Sequence, residues 1–371
     1  MYKRTELFRA DEQGYKTFRI PAVAAMDSGA VLVFCSARRE TGDWADINLA
    51  LRRSLDGGNT WQPMRIIAGE NITGPADNPV PIVDRDKKVL HFLYQENYAR
   101  LYYISSKDDG ETFSDPVDIT AALDSLQAVY PWKVFAPGPG HGLHLQNGRL
   151  LVPIWMSDGS GKEMGAGNLG HRPSAIATIF SDDEGKSWEA GELVANHDGH
   201  TIINPSENVA VELSDGRVML NIRSESTKNR RLITTSDNGS SNWSPIRFDA
   251  TLFDPVCCAS LIRLSFNPSV LLFVNPDSSQ LNPVRPGKAS YPRENLTARV
   301  SFDDGVSWPV SRVLDSGVAG YSDLAVDANG NAFCFYEHGG FHKEVNGVFY
   351  QGKNLGMSVL HFDLAWLKSE V

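Results

Sequence analysis

Short apolar runs, rich in β-branched and aromatic side chains and closed by Gly, Pro, Asn or Asp, recur along the whole chain. They fall at 31–36, 89–94, 101–105, 150–155, 218–222, 270–274 and 333–336. Runs this short, bounded by turn formers, predict β-strands rather than helices. One stretch, 118–129, has a helical pattern. A last apolar run at 357–362 is placed to complete a sheet opened by the N-terminal segment. No linker or low-complexity stretch divides the chain, so the pattern predicts one all-β domain over 1–371.

Between the strands a second pattern repeats. Ser54-Leu-Asp56-Gly-Gly58-Asn-Thr60-Trp61 is matched by Ser106-Lys-Asp108-Asp-Gly110-Glu-Thr112-Phe113, Ser181-Asp-Asp183-Glu-Gly185-Lys-Ser187-Trp188 and Ser301-Phe-Asp303-Asp-Gly305-Val-Ser307-Trp308. A degenerate fifth copy, read from Thr235 through Asp237 and Gly239 to Trp243, carries one extra residue. Asp, Ser and Thr side chains bond nearby backbone groups and imitate a turn, while Gly supplies a positive φ. The terminal aromatic then returns to the apolar space between strands. Repetition of one such unit along an all-β chain predicts radial architecture, with the two chain ends closing the last sheet so that no strand edge is left bare.

Composition narrows the partners. The chain is 42% hydrophobic and 10% aromatic, enough for a sizeable core, and its net charge of −10 argues against nucleic acid or an anionic membrane as a partner. No apolar run is long enough for a transmembrane helix. The start, Met1-Tyr-Lys-Arg-Thr-Glu, lacks the apolar segment of a secretory signal. A cytoplasmic protein is the expectation, and a secreted chain trimmed of its signal the alternative. Cys35, Cys257, Cys258 and Cys334 form no CxxC and read as buried free thiols. His141 and His144 are three apart with no further ligand near them in sequence, so neither a metal nor another cofactor is expected.

Chemistry in such a fold would be scattered, because every blade sends loops to the central depression. Polar residues in apolar or turn contexts are the candidates: Arg19 in Phe18-Arg19-Ile20-Pro21, Asp43 just after Arg38-Arg39, and Glu207 in Asn204-Pro-Ser-Glu207. Arg223 and Glu337 each end a strand, Arg293 precedes Glu-Asn-Leu, and Tyr321 lies in Gly320-Tyr-Ser-Asp323. Any one of these alone reads as a strand cap or a rim ion pair.

Together they resemble a known family. The Asp boxes with Phe18-Arg19-Ile20-Pro21 are similar to the exo-α-sialidases, whose members carry a Tyr/Phe-Arg-Ile-Pro motif near the start of the catalytic domain. Phe135-Ala-Pro-Gly-Pro-Gly-His141 resembles a segment of the animal cytosolic enzymes, and Tyr321-Ser-Asp-Leu324 the segment that carries the family's nucleophile. The resemblance spans essentially the whole chain. It implies a six-bladed β-propeller with the boxes remote from the active site. It also implies an arginine triad for the substrate carboxylate at Arg19, Arg223 and Arg293, the last chosen over Arg285 and Arg299. Tyr321 corresponds to the nucleophile, Glu207 to its general base and Asp43 to the acid/base. Arg38 corresponds to a further substrate contact, Glu337 to the carboxylate orienting the first arginine, and Asn78 to a position near the sugar's amide. Trp155 and Trp132 are candidates for the wall on the glycerol or aglycone side, with aromatic core packing the favoured reading of either.

These roles make chemical sense. Planar guanidinium forks bind carboxylates bidentately. A carboxylate nucleophile would be repelled by the carboxylate on the substrate's anomeric carbon, whereas a neutral phenol would not, and sialidases are the tyrosine exception among retaining glycosidases. The implied function is retaining exo-sialidase activity on sialylated glycans or free sialosides. Alternatives at this stage are a glycosidase for a related ulosonic acid of the KDN or Kdo type, a trans-sialidase, and a non-catalytic glycan-binding propeller. The sequence leaves oligomeric state open.

Overall fold

The computed structural model describes the chain apart from residues 282–286, 288, 341, 346–347, 352 and 370–371. The apolar runs become the strands Val31–Arg38, Val89–Glu96, Arg100–Ser106, Leu150–Ser157, Val218–Ile222, Val270–Pro276 and Ala332–His338. All but Arg100–Ser106 take second place in a four-stranded antiparallel blade. A second strand is covered on both faces by neighbouring blades; Val31–Arg38 and Leu150–Ser157 are buried at every position. That is why these segments read as continuous apolar runs without alternation.

The innermost strands are harder to see in the sequence. They are Thr17–Ala25, Ala76–Asp84, Val134–Pro137 with Leu143–His144, Asn208–Glu212, Ser260–Ser265 and the second half of Val310–Val326. Each touches the next, and the last returns to the first, so six blades close around an axis. The long strand Val310–Val326 serves two blades. Its first half pairs with Glu294–Ser301 (Val310 opposite Val300), and its second half pairs with Ala332–His338 (Val326 opposite Ala332). The sixth blade is completed from both chain ends: Tyr2–Arg9 pairs antiparallel with Gly356–Phe362, Tyr2 opposite Phe362. The stretch predicted as helical is a 3₁₀ helix, Thr120–Ala128, which buries Leu123 and Leu126 beside Trp188. A short α-helix, Leu364–Lys368, was not foreseen; Asp363 caps it by accepting from the Trp366 N–H at 2.7 Å.

The boxes occupy the connections from third to fourth strand. In each clean copy the Ser Oγ accepts from the Gly N–H at 2.8 Å (Ser54–Gly58, Ser106–Gly110, Ser181–Gly185, Ser301–Gly305). The Asp accepts from the backbone and hydroxyl of the Thr or Ser four residues on, as Asp56 does from Thr60 at 2.8 and 2.7 Å. The box glycine, at φ +70 to +83 in Gly110, Gly185 and Gly305, presses against the preceding blade, where a Cβ would meet Leu32, Tyr103 and Met219 respectively. Each box therefore staples its own turn and docks one blade on another. The fifth copy is registered differently from the sequence reading. Asn238, not Asp237, plays the acceptor, taking the Ser240 and Ser241 N–H groups at 2.8 and 2.9 Å, and Ser236 Oγ holds the Gly239 N–H at 3.0 Å. Counted from Ser236 no extra residue exists; the amide of Asn accepts as Asp does, and Gly comes one place early. The sixth blade has no such turn because its third and fourth strands come from opposite ends of the chain.

Candidate active site

Tyr321 begins the inner half of the sixth blade's first strand and lies on the axis, 6% exposed, above a small apolar cluster of Ile20, Cys257 and Cys258. Its hydroxyl donates to Glu207 Oε1, while the other Glu207 oxygen receives Arg223 Nη1. Arg223 Nη1 also lies 2.8 Å from the Tyr321 hydroxyl. Two further guanidiniums face the ring, Arg19 at 5.0 Å and Arg293 at 5.4 Å from its centroid. Burial pushes the phenol far above its ordinary range, and Arg223, Arg293 and Arg19 offset this only in part. Tyr321 is thus a neutral phenol at pH 7, hydrogen-bonded to a carboxylate that can take its proton. The glutamate and the arginine flank the fourth blade's first hairpin: Glu207 precedes Asn208–Glu212 and Arg223 follows Val218–Ile222.

A second carboxylate stands on the opposite side. Asp43, in the loop after Val31–Arg38, accepts from Arg38 Nη1 at 2.6 Å and lies 3.9 Å from Arg19 Nη1. Burial pushes its carboxyl upward, but Arg38, Arg19 and the nearby His171 overcome that and hold it well below the usual carboxylate range. Arg38 is 1% exposed, and its other nitrogen binds Asp77 at 3.0 Å. Arg38 thus acts here as the clamp between two carboxylates. Asp77 was not among the sequence candidates. It starts the second blade's inner strand, accepts from Ser36 Oγ and from the Asn78 N–H at 2.6 Å, and is fully buried. Asn78 itself sits in the left-handed region at φ +59, a conformation Asn tolerates better than most residues.

The site is held from behind. Glu337, with no exposure, binds Arg19 Nε at 3.2 Å and Nη2 at 3.4 Å, and also accepts the backbone N–H of Ile20 at 3.0 Å and of Tyr321 at 3.2 Å. One carboxylate therefore fixes the first arginine, the bend at Ile20 (φ +56) and the backbone that carries the phenol. Arg293 donates to the Val256 carbonyl at 2.8 Å. That carbonyl is set by Asp254, which accepts the Val256 N–H at 2.9 Å and the Ser224 N–H at 3.1 Å and pairs with buried Arg231 at 3.3 Å. Below, Asp323 ties four blades together through His141 Nδ1 at 2.7 Å, Ser260 Oγ at 3.0 Å and the Val23 N–H at 2.9 Å.

The candidates Arg19, Arg38, Asp43, Glu207, Arg223, Arg293, Tyr321 and Glu337 therefore converge at one end of the axis. Arg299 does not; it is drawn to Asp277 and Ser311, and Arg285 lies outside the described residues. Trp155 packs on His171 at 4.9 Å and lies in an aromatic group with Tyr98 and Trp44, next to Asp43 in sequence. Trp132 is half-buried against the core, edge-on to Phe135 at 5.1 Å with its N–H directed at the Leu123 carbonyl. Sequence reasoning missed Asp77, His171 and the Asp254–Arg231 pair, because each acts through a partner on another strand and none lies in a recognisable motif. All four cysteines are buried and free.

Comparison with known proteins places this geometry in context. The sialidase of Micromonospora viridifaciens is 28% identical over 400 residues, covering 99% of this chain and 54% of the relative, so the chain spans about half of that protein. An exo-alpha-sialidase of Aspergillus fumigatus is 27% identical, covering 95% of this chain and 86% of the relative. Among solved structures, the Hadza microbial sialidase Hz136 superposes with a TM-score of 0.77 at 23% identity over 98% of this chain and 69% of its own, a likeness of fold. A family model described as a BNR repeat-like domain matches residues 29–334, so the chain belongs to the BNR repeat-like family, and the relatives it resembles in bacteria, fungi and animals are sialidases.

Proposed function

We propose that the protein is a retaining exo-α-sialidase that releases terminal sialic acids through a glycosyl-tyrosine intermediate. The observation that carries the reading is the Tyr321 hydroxyl, donated to Glu207, within 2.8 Å of Arg223 and faced by Arg19 and Arg293. In the first step Tyr321 Oη bonds to the anomeric carbon as its proton passes to Glu207, and the bond to the leaving oxygen breaks as that oxygen takes a proton from Asp43. In the second step Asp43 takes a proton from water, the water oxygen bonds to the anomeric carbon, and the phenolate leaves and recovers its proton from Glu207. The three arginines hold the substrate carboxylate and stabilise developing phenolate charge.

Asp43 must be protonated to act first, yet Arg38 and Arg19 hold it ionised in the free site. A substrate carboxylate on Arg19 offsets one of those cations and raises Asp43, so substrate binding prepares its own acid. The test is proton NMR of early turnover on a sialyl-4-methylumbelliferone. Release of the α-anomer first supports the reading. The β-anomer first, or no release, refutes it.

A further inference from the structure

We propose that the end of the propeller axis opposite Tyr321 carries a divalent-cation site that joins the second and third blades, built from Asp84, Asp86 and His144 with His91 at its back. Asp84 ends the nine-residue strand whose other end holds Asp77, roughly 23 Å away at about 3.3 Å per residue. It is 3% exposed. Asp86 is exposed in the turn that follows, and His144 comes from the short strand Leu143–His144 of the third blade. Donor atoms of these three residues all lie within 4.8 Å of one another.

Two distances argue for a cation between them. His144 Nδ1 is 3.7 Å from one Asp84 oxygen and His91 Nε2 is 3.9 Å from the other. Both are too long for a hydrogen bond. They are close to the donor–donor edge of a tetrahedral site, about 3.4 Å for ligand bonds of about 2.1 Å. An independent sign comes from His91. Its side chain is 4% exposed, and Nε2 points toward Asp84 with no hydrogen-bond partner. The ring's other nitrogen, Nδ1, lies 2.7 Å from the Tyr103 hydroxyl. When Nδ1–H donates to that oxygen, Nε2 turns a lone pair toward the Asp84 carboxylate from behind the three ligands, an arrangement that a cation held on Asp84 would stabilise. Asp84 is fixed by the Lys87 N–H at 2.9 Å. Imidazole nitrogen with carboxylate oxygen favours a zinc-class cation over magnesium or calcium. The sequence concealed this set because the partners of His144 lie in another blade.

The test uses the full chain stripped with chelator and titrated with Zn²⁺ alone. Calorimetry is expected to give one saturable site, and zinc to raise the melting temperature. Asp86→Asn and His144→Ala are expected to weaken binding at least about tenfold and to remove the thermal shift, with turnover of sialoside unchanged. Asp86 is exposed, so its variant should melt like the parent without zinc, which separates lost binding from lost folding. Cobalt should give visible d–d bands that vanish in His144→Ala. Absence of saturable zinc binding, or equal affinity and thermal shift in parent and variants, overturns the proposal.

Discussion

The box turns and the site at the axis both use short-range polar chemistry, but they are built on opposite plans. A box is local: Ser, Asp, Gly and Thr within seven residues satisfy one another, and the four clean copies repeat the same Ser-to-Gly bond at 2.8 Å. The site is assembled from positions 19 to 337, and its central contact joins Tyr321 to Glu207 across 114 residues. Its carboxylates and guanidiniums are buried or half-buried, and Arg19, Arg38, Glu207 and Arg223 each meet a partner from another blade. Box charges face solvent and depend only on their own turn. The difference separates what can be damaged locally from what cannot.

Variants can sharpen that contrast. The largest expected effect is at the centre. Tyr321→Phe removes the nucleophile but keeps the ring, and should lower kcat/KM by on the order of 10⁴-fold with an unchanged melting temperature. Next, Asp43→Asn removes the acid, a loss of roughly 10²–10⁴-fold. The loss should be greatest for natural sialosides with poor leaving groups and smallest for 4-methylumbelliferyl sialoside; equal losses on both would contradict the acid role. Glu337→Gln breaks a buried pair and should cost about 3 kcal/mol in denaturant unfolding, the low end for such pairs because Asp43 remains near Arg19. It should also raise KM.

The boxes should respond in stability alone. Gly110→Ala places a Cβ at φ +70 against Leu32 and should cost about 1–3 kcal/mol with kcat unchanged. The smallest effect concerns pH. Hydrogen bonds from Thr60, Thr112 and Ser187 lower the carboxyls of Asp56, Asp108 and Asp183 to about 2, against about 3.9 in an unfolded chain. A depressed carboxyl contributes stability that is complete above the unfolded value and lost as pH falls through the folded one. Melting temperature should therefore decline from about pH 4 toward pH 2, and Asp56→Asn should flatten that decline.

The same contrast explains what the sequence revealed. Second strands were legible because burial on both faces makes them continuous apolar runs, and the boxes because their bonds lie within one motif. The fifth box was misread by one residue because Asn238 does an aspartate's work beside a real Asp237. Arg19, Glu207 and Tyr321 were visible through local motifs that resemble a family. Asp77 and Asp254 were not, because a buried carboxylate is identified by the cation it meets, and Arg38 and Arg231 meet theirs only after folding.

The central claim is that Tyr321 becomes covalently glycosylated. Incubation with a 2,3-difluoro sialic acid, followed by proteolysis and tandem mass spectrometry, tests it directly. The account predicts one sialyl-sized adduct on Tyr321, absent in Tyr321→Phe. An adduct on Glu207 or Asp43, or turnover with no adduct on any residue, would contradict it.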